Sequence, residues 1–219
     1  MDTYAKSKLN KVRKGDRASY DKEAVHAILD EGLLAHVGFA DQDWPMVIPM
    51  IYGRIDETLY LHGAKAARFA KVMGKGVPVC IEVTLVDALV LARSAFHSSM
   101  NYRSVIVHGM AHLVEDDDEK TRAIAQITDH LAPGRWDEAR PMTDKELKST
   151  GVIAVPIEHA AAKSRVGGAN DDEEDYALPI WAGVIPIRNA FGTPQDDDRL
   201  LEGVDMPESV SQALRRSAG

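Results

Sequence analysis

Cysteine is almost absent: Cys80 is the single thiol among 219 residues. One thiol closes no internal disulfide and builds neither a Cys-rich zinc site nor an iron–sulfur centre. It suits a reducing cytoplasm, the location expected. Long apolar runs are missing too. The most apolar stretch, Val79 to Ala92, is broken by Glu82 and Asp87, so nothing approaches the roughly 18 residues of a membrane span. No apolar core precedes a cleavage site near the start, so no secretory leader is expected. Basic residues are outnumbered, 26 Lys and Arg against 34 Asp and Glu, which argues against nucleic-acid binding driven by counterion release. There is no Walker A loop, no His-Glu-x-x-His, no Gly-x-Ser-x-Gly and no internal repeat. Gly74-x-Gly76 lacks the third glycine of a dinucleotide fingerprint and follows a helical pattern rather than a strand.

What is present suits a folded domain, with 45% hydrophobic and 27% charged residues. Asp21 to Glu31 reads as a helix, with Asp21 as N-cap, Ala24, Val25, Ile28 and Leu29 at helical spacing, and Gly32 as the stop. Leu33–Ala40, Pro45–Arg54 and Leu59–His62 follow as strands parted by acidic turns, with Pro45 and Pro49 demanding an edge or a bulge. A short helix over Lys65–Met73, strands over Val79–Leu91 and Tyr102–Val114 (Gly109 as a bulge), and a long helix over Glu115–Leu131 come next. Val152–Ile157 is a further strand, and a short helix starts at Pro207. About six strands with helices at intervals favour a mainly β, antiparallel barrel with peripheral helices over a doubly wound parallel sheet. The division expected is a barrel domain over 1–187, opened by a basic arm (Lys6, Lys8, Lys11, Arg13, Lys14, Arg17), and a polar tail over 188–219.

Two segments carry candidate chemistry. His62-Gly63-Ala64-Lys65-Ala66-Ala67-Arg68 ends a strand, turns at glycine and opens a helix with two cations, where free N–H groups and a guanidinium can meet a phosphate. The alternative is a pair of surface cations. Arg93 to Ser104 places five hydroxyl groups, His97, Asn101 and two arginines beside Phe96, Met100 and Tyr102. That mixture suits a polar planar ligand, or else a hairpin loop tied down by its own side chains. His108 and His112 share a strand face at roughly 13 Å along the chain, too far for one metal ion unless Gly109 bulges. No metal is expected, and no catalytic residue is assigned.

Taken in order, several motifs resemble the flavin-nucleotide-binding proteins related to pyridoxamine 5′-phosphate oxidase, a group that includes the nitroimidazole reductases. They are Tyr20–Ala24, His36–Phe39, Pro45–Pro49, Leu59–Gly63, Ala92–Val105, Pro133–Trp136 and Trp181–Pro186. The resemblance implies an antiparallel split β-barrel of the FMN-binding type that forms a homodimer, with FMN between the subunits. In this sequence it implies that Met46, Val47, Ile48, Pro49 and Met50 run along the flavin and that His62 and Gly63 meet it. Lys65 and Arg68 would hold its phosphate, Tyr102, Arg103 and Ser104 would approach it, and Trp181 would reach it from the other subunit. It further implies an oxidoreductase acting on a small molecule, fed by transient NAD(P)H. The oxidase's C-terminal Arg-x-His signature is missing after Trp181-Ala182-Gly183, so pyridoxamine phosphate is not the substrate expected. A non-catalytic flavin- or haem-binding module is the alternative, with His62, His97 or His108 as an axial ligand.

Overall fold

A computed structural model describes residues 2–216 of the chain; Met1 and 217–219, the end of the expected tail, lie outside the described residues. The strands are β1 (Ala18–Ser19), β2 (Ala35–Asp41), β3 (Trp44–Met50), β4 (Tyr52–Ile55), β5 (Thr58–Ala64), β6 (Val77–Leu91), β7 (Ser99–Leu113), β8 (Thr150–Pro156), β9 (His159–Arg165) and β10 (Gly183–Pro186). The helices are α1 (Lys22–Glu31), α2 (Arg68–Met73), α3 (Asp117–Leu131), α4 (Arg135–Glu138), α5 (Asp144–Ser149) and α6 (Glu208–Arg216). The strands form one antiparallel sheet in the order β3-β2-β6-β7-β8-β5-β4, with β9 also on β7, β1 on β9 and β10 on β6. The sheet curls without closing, as in a split barrel.

Alternation decides what is inside. Val37, Ile81, Val105 and Val107 are fully buried and share the principal core with Val25 and Leu29 of α1. Burying each such side chain is worth roughly 1.5–3 kcal/mol against leaving it exposed. A second core joins the opposite face of β5 and β8 (Tyr60, Val152, Ala154) to Ala123, Ile124 and Ile127 of α3.

Several expectations need correction. The span Pro45–Arg54 is two strands rather than one, because the chain breaks at Ile51 and sends β3 and β4 to opposite ends of the sheet path. β3 is indeed terminal, which tolerates Pro45 and Pro49. The Asp21 side chain does not cap α1; it accepts a hydrogen bond from Ser19 Oγ instead. Gly109 is no bulge: the β6–β7 register runs through it unbroken and slips at Asp87. Glycine is required there because a Cβ would lie 2.0 Å from the Pro156 carbonyl oxygen. The alanine run at 160–162 is the middle of β9, an inward-facing strand that composition did not announce.

Candidate functional site

Register aligns one residue from each of five strands. Val47 opposes Gly38, Gly38 opposes Cys80, Cys80 opposes His108 and His108 opposes His159. Residues directly opposed in antiparallel strands share a face, and here it is the outer face of the barrel. Gly38 contributes no side chain to this row. A shallow groove of about 530 Å³ runs over it, lined by Pro45, Met46, Val47, Pro78, Cys80 and His108 among others. Among the described residues β3 pairs with β2 alone, so its far edge presents backbone N–H and C=O groups to a ligand.

Of the expected set, Met46 and Val47 line the groove. Val47 and Pro49 face outward with Ser104 and Tyr102, which continue the outer face along β7. Met46, Ile48 and Met50 pack against the principal core, so their role toward a ligand is confined to backbone. Arg68 opens α2 and its Nε donates to Asp41 Oδ2 at the end of β2, 2.5 Å away, which carries the guanidinium toward the β2–β3 turn that bounds the groove. The Arg68 side chain is 61% exposed.

Other expected residues lie elsewhere. His62 shares the face of β5 that carries Tyr60, under α3. Its Nδ1 is buried without a partner, and burial lowers its pKa. Gly63 is held by the Phe69 ring, which a Cβ would meet at 2.8 Å. Lys65 lines a separate pocket with Lys120 and Lys148. Arg103 is bound by both Glu31 and Asp87, and these hydrogen bonds raise its pKa. Trp181 lies against Gly183, beside β10, which pairs with Ala88–Leu91. Ala88 is six residues beyond Glu82, the last β6 residue that β2 reaches, or about 20 Å of strand. His97 lies 3.2 Å from Asp172. The basic arm is tied down near its start, where Tyr4 is buried and bonded to Glu57 and His26.

Sequence reasoning missed the row through Gly38, Cys80 and His159. The alternation Ile106, His108, Met110 was visible, but which residues of other strands it meets depends on register. His108 and His159 each have a buried Nδ1 without a partner, and burial, followed by the His159 charge, lowers the pKa of His108.

Residues 21–164 match the pyridoxamine 5′-phosphate oxidase family. The chain is also similar in structure to the flavocytochrome Anf3 from Azotobacter vinelandii, at 40% identity over 96% of this chain and 98% of that one, with a TM-score of 0.89. A FAD and haem binding protein from Mycobacterium smegmatis is similar at 32% identity over 90% of this chain and 97% of that one, with a TM-score of 0.86. No curated protein matches in sequence. The chain belongs to the pyridoxamine 5′-phosphate oxidase family. No helix among the described residues is long and apolar enough to cross a membrane.

Proposed function

We propose that this chain is a flavin- and haem-binding redox protein that works as a homodimer. The observation that carries the reading is near full-length similarity to two proteins, one a flavocytochrome and the other a binder of FAD and haem. The residues present suit a flavin. The free edge of β3 offers donors and acceptors to a pyrimidine ring, Val47 and Pro45 offer apolar contact, and Arg68 offers a guanidinium for a phosphate oxygen. They also suit haem: His108 is the imidazole that lines the groove, and its depressed pKa keeps the ring neutral, the form that binds iron. When bound, the flavin takes two electrons from a hydride donor and gives them up singly or in pairs.

The protein's part is to position and to screen. Backbone N–H groups of β3 can favour negative charge on a reduced ring, and Val47 and Pro45 give it an apolar wall. NAD(P)H is the electron donor we favour, bound transiently, and a small molecule is the acceptor. A reducing cytoplasm suits the lone Cys80 thiol, whose pKa burial raises above the ordinary thiol value. The family resemblance points to FMN, and the similar mycobacterial protein binds FAD; chromatography of the acid-released flavin decides between them.

The test is the visible spectrum of the protein purified with haem supplied. The reading expects flavin absorbance and a Soret band together, bleaching of the flavin by NADH or NADPH, and loss of the Soret band alone in His108→Ala. A colourless protein that takes up neither group would overturn it. Flavin without haem would leave the non-catalytic flavin module or a plain flavin reductase, separated by whether a nicotinamide donor bleaches the colour.

A further inference from the structure

A second pocket lies on the other side of the β5–β8 pair from the principal core. It holds about 280 Å³ and is lined by Lys65, Lys120, Lys148, Glu115, Asp117 and Thr150, among others. Three separate elements supply the cations: the turn after β5, the first turn of α3, and α5. Lys120 is 6% exposed. None of the three ammonium groups has a carboxylate within 4 Å or a hydrogen bond among the described residues, although two acids line the same pocket.

Lys120 is unfavourably placed for stability. A cation near the start of a helix faces the positive end of the dipole, and the buried stem of Lys120 holds an ammonium that has no carboxylate partner and has lost part of its hydration. Burial lowers its pKa, Asp117 raises it, and the nearby Lys65 lowers it again. Methionine would fill the space without these costs. A dianion in the pocket reverses each of them: it pairs with the Lys120 ammonium, relieves repulsion between Lys65 and Lys120, and accepts from the rim ammonium of Lys148. The volume falls just below the roughly 300–1,000 Å³ of sites for drug-sized ligands, which suits a small anionic group.

We infer that Lys65, Lys120 and Lys148 form an anion site, distinct from the groove over β3, that takes the phosphate group of a small molecule. Asp117 and Glu115 at the rim can accept from a hydroxyl group on the same ligand. This site shares no lining residue with the groove and stands apart from the flavin and haem reading.

Isothermal titration of the full chain, with whatever cofactor it retains, tests the assignment. Inorganic phosphate, pyrophosphate and glycerol 3-phosphate serve as probes in chloride buffer of fixed ionic strength. Saturable binding is expected, weakened at least tenfold in Lys120→Met and severalfold in Lys148→Gln, with the visible spectrum unchanged in both. Tighter binding of glycerol 3-phosphate identifies the phosphoryl group of a larger molecule, and equal binding identifies free phosphate. Absence of saturable heat with all three probes would overturn the site, as would equal affinity in the variants. Loss of bound flavin in Lys120→Met would also overturn it, by making the pocket part of the flavin site. Should Lys120→Met fail to fold, the exposed Lys148→Gln still decides.

Discussion

Arg93 holds Asp171 across 78 residues of sequence: the guanidinium Nη1 lies 3.0 Å from Oδ2 and the Arg93 backbone N–H donates to Oδ1 at 2.9 Å. The Asp171 side chain is wholly screened from solvent. Burial would raise this carboxyl, yet the hydrogen bonds from the Arg93 side chain and from backbone N–H groups hold it below the usual carboxylate range. The guanidinium also stacks 4.9 Å from the Tyr176 ring centroid. The loop after β6 is thus tied to the segment after β9. Asp171→Asn removes the charge while keeping the shape, so amides of 92–98 are expected to exchange with deuterium at least tenfold faster, while those of β2 and β6 near Ile81 keep their protection. Unchanged exchange across 92–98 would show that the pair does not hold the loop.

Much of this was readable without coordinates, for identifiable reasons. α1 and α3 announce themselves because Val25, Ile28 and Leu29, and Ala123, Ile124 and Ile127, recur at helical spacing, the first set over the principal core and the second over the other. The long hairpin of β6 and β7 shows as alternation. β9 does not, because its alanines give no contrast between faces, and α4 and α5 are too short to build a period. In the candidate site, the place of Arg68 at the start of a helix after a strand and a glycine was legible. Its pairing with Asp41 and the row of Val47, Gly38, Cys80, His108 and His159 were not, since register sets both. Arg103 looked like a ligand-facing cation because sequence shows charge and not the two carboxylates that claim it.

Four histidines make stability fall with acid. Burial lowers the pKa of His26, His62, His108 and His130; His130 Nε2 lies 2.6 Å from the Gly32 carbonyl oxygen. In the unfolded chain such groups titrate near 6.5, at about the ordinary imidazole value. The unfolded state therefore binds protons first as pH falls, and their contribution is complete above that value and lost as pH drops through it toward the folded pKa values. Each histidine in its window steepens the slope by about 1.4 kcal/mol per pH unit. Urea midpoints are expected to drop between pH 7.5 and pH 5.5, and His130→Gln, which can still donate to Gly32, flattens the slope. A flat profile over that range contradicts the argument.

Arg68→Ala separates binding from folding. The Arg68–Asp41 pair is largely exposed on its arginine side, and such pairs are worth at most about 1 kcal/mol. A charge-assisted hydrogen bond to a phosphate oxygen is worth about 1.5–3 kcal/mol. The variant should keep its urea midpoint nearly unchanged and lose flavin affinity by tenfold or more, measured by quenching of flavin fluorescence during titration. Equal affinity in both proteins removes Arg68 from the phosphate end of the site.

Dimerisation and flavin retention should fail together. Val47, Ile106 and Met110 all lie on the outer face of the sheet and are 64%, 42% and 43% exposed, an apolar patch larger than a solvated strand face requires. The far end of the β6–β7 hairpin adds Leu89, Leu91 and Met100, with Trp181 and Val184 beside it. Within one copy Trp181 stays at that far end, away from β3, so a second copy is what can bring the Trp181 indole to the groove, where Trp44 already opens β3. The same contact would bury both patches. Ile106→Glu with Met110→Glu puts two charges on the outer face beside the row without touching an inward residue or one placed against the flavin. Light scattering is expected to give about 24 kDa for this variant and twice that for the parent, with an unchanged far-ultraviolet spectrum and most of the flavin lost on gel filtration. A parent that runs as a single copy while holding flavin tightly would place the cofactor within one subunit and leave Trp181 without a part in binding it.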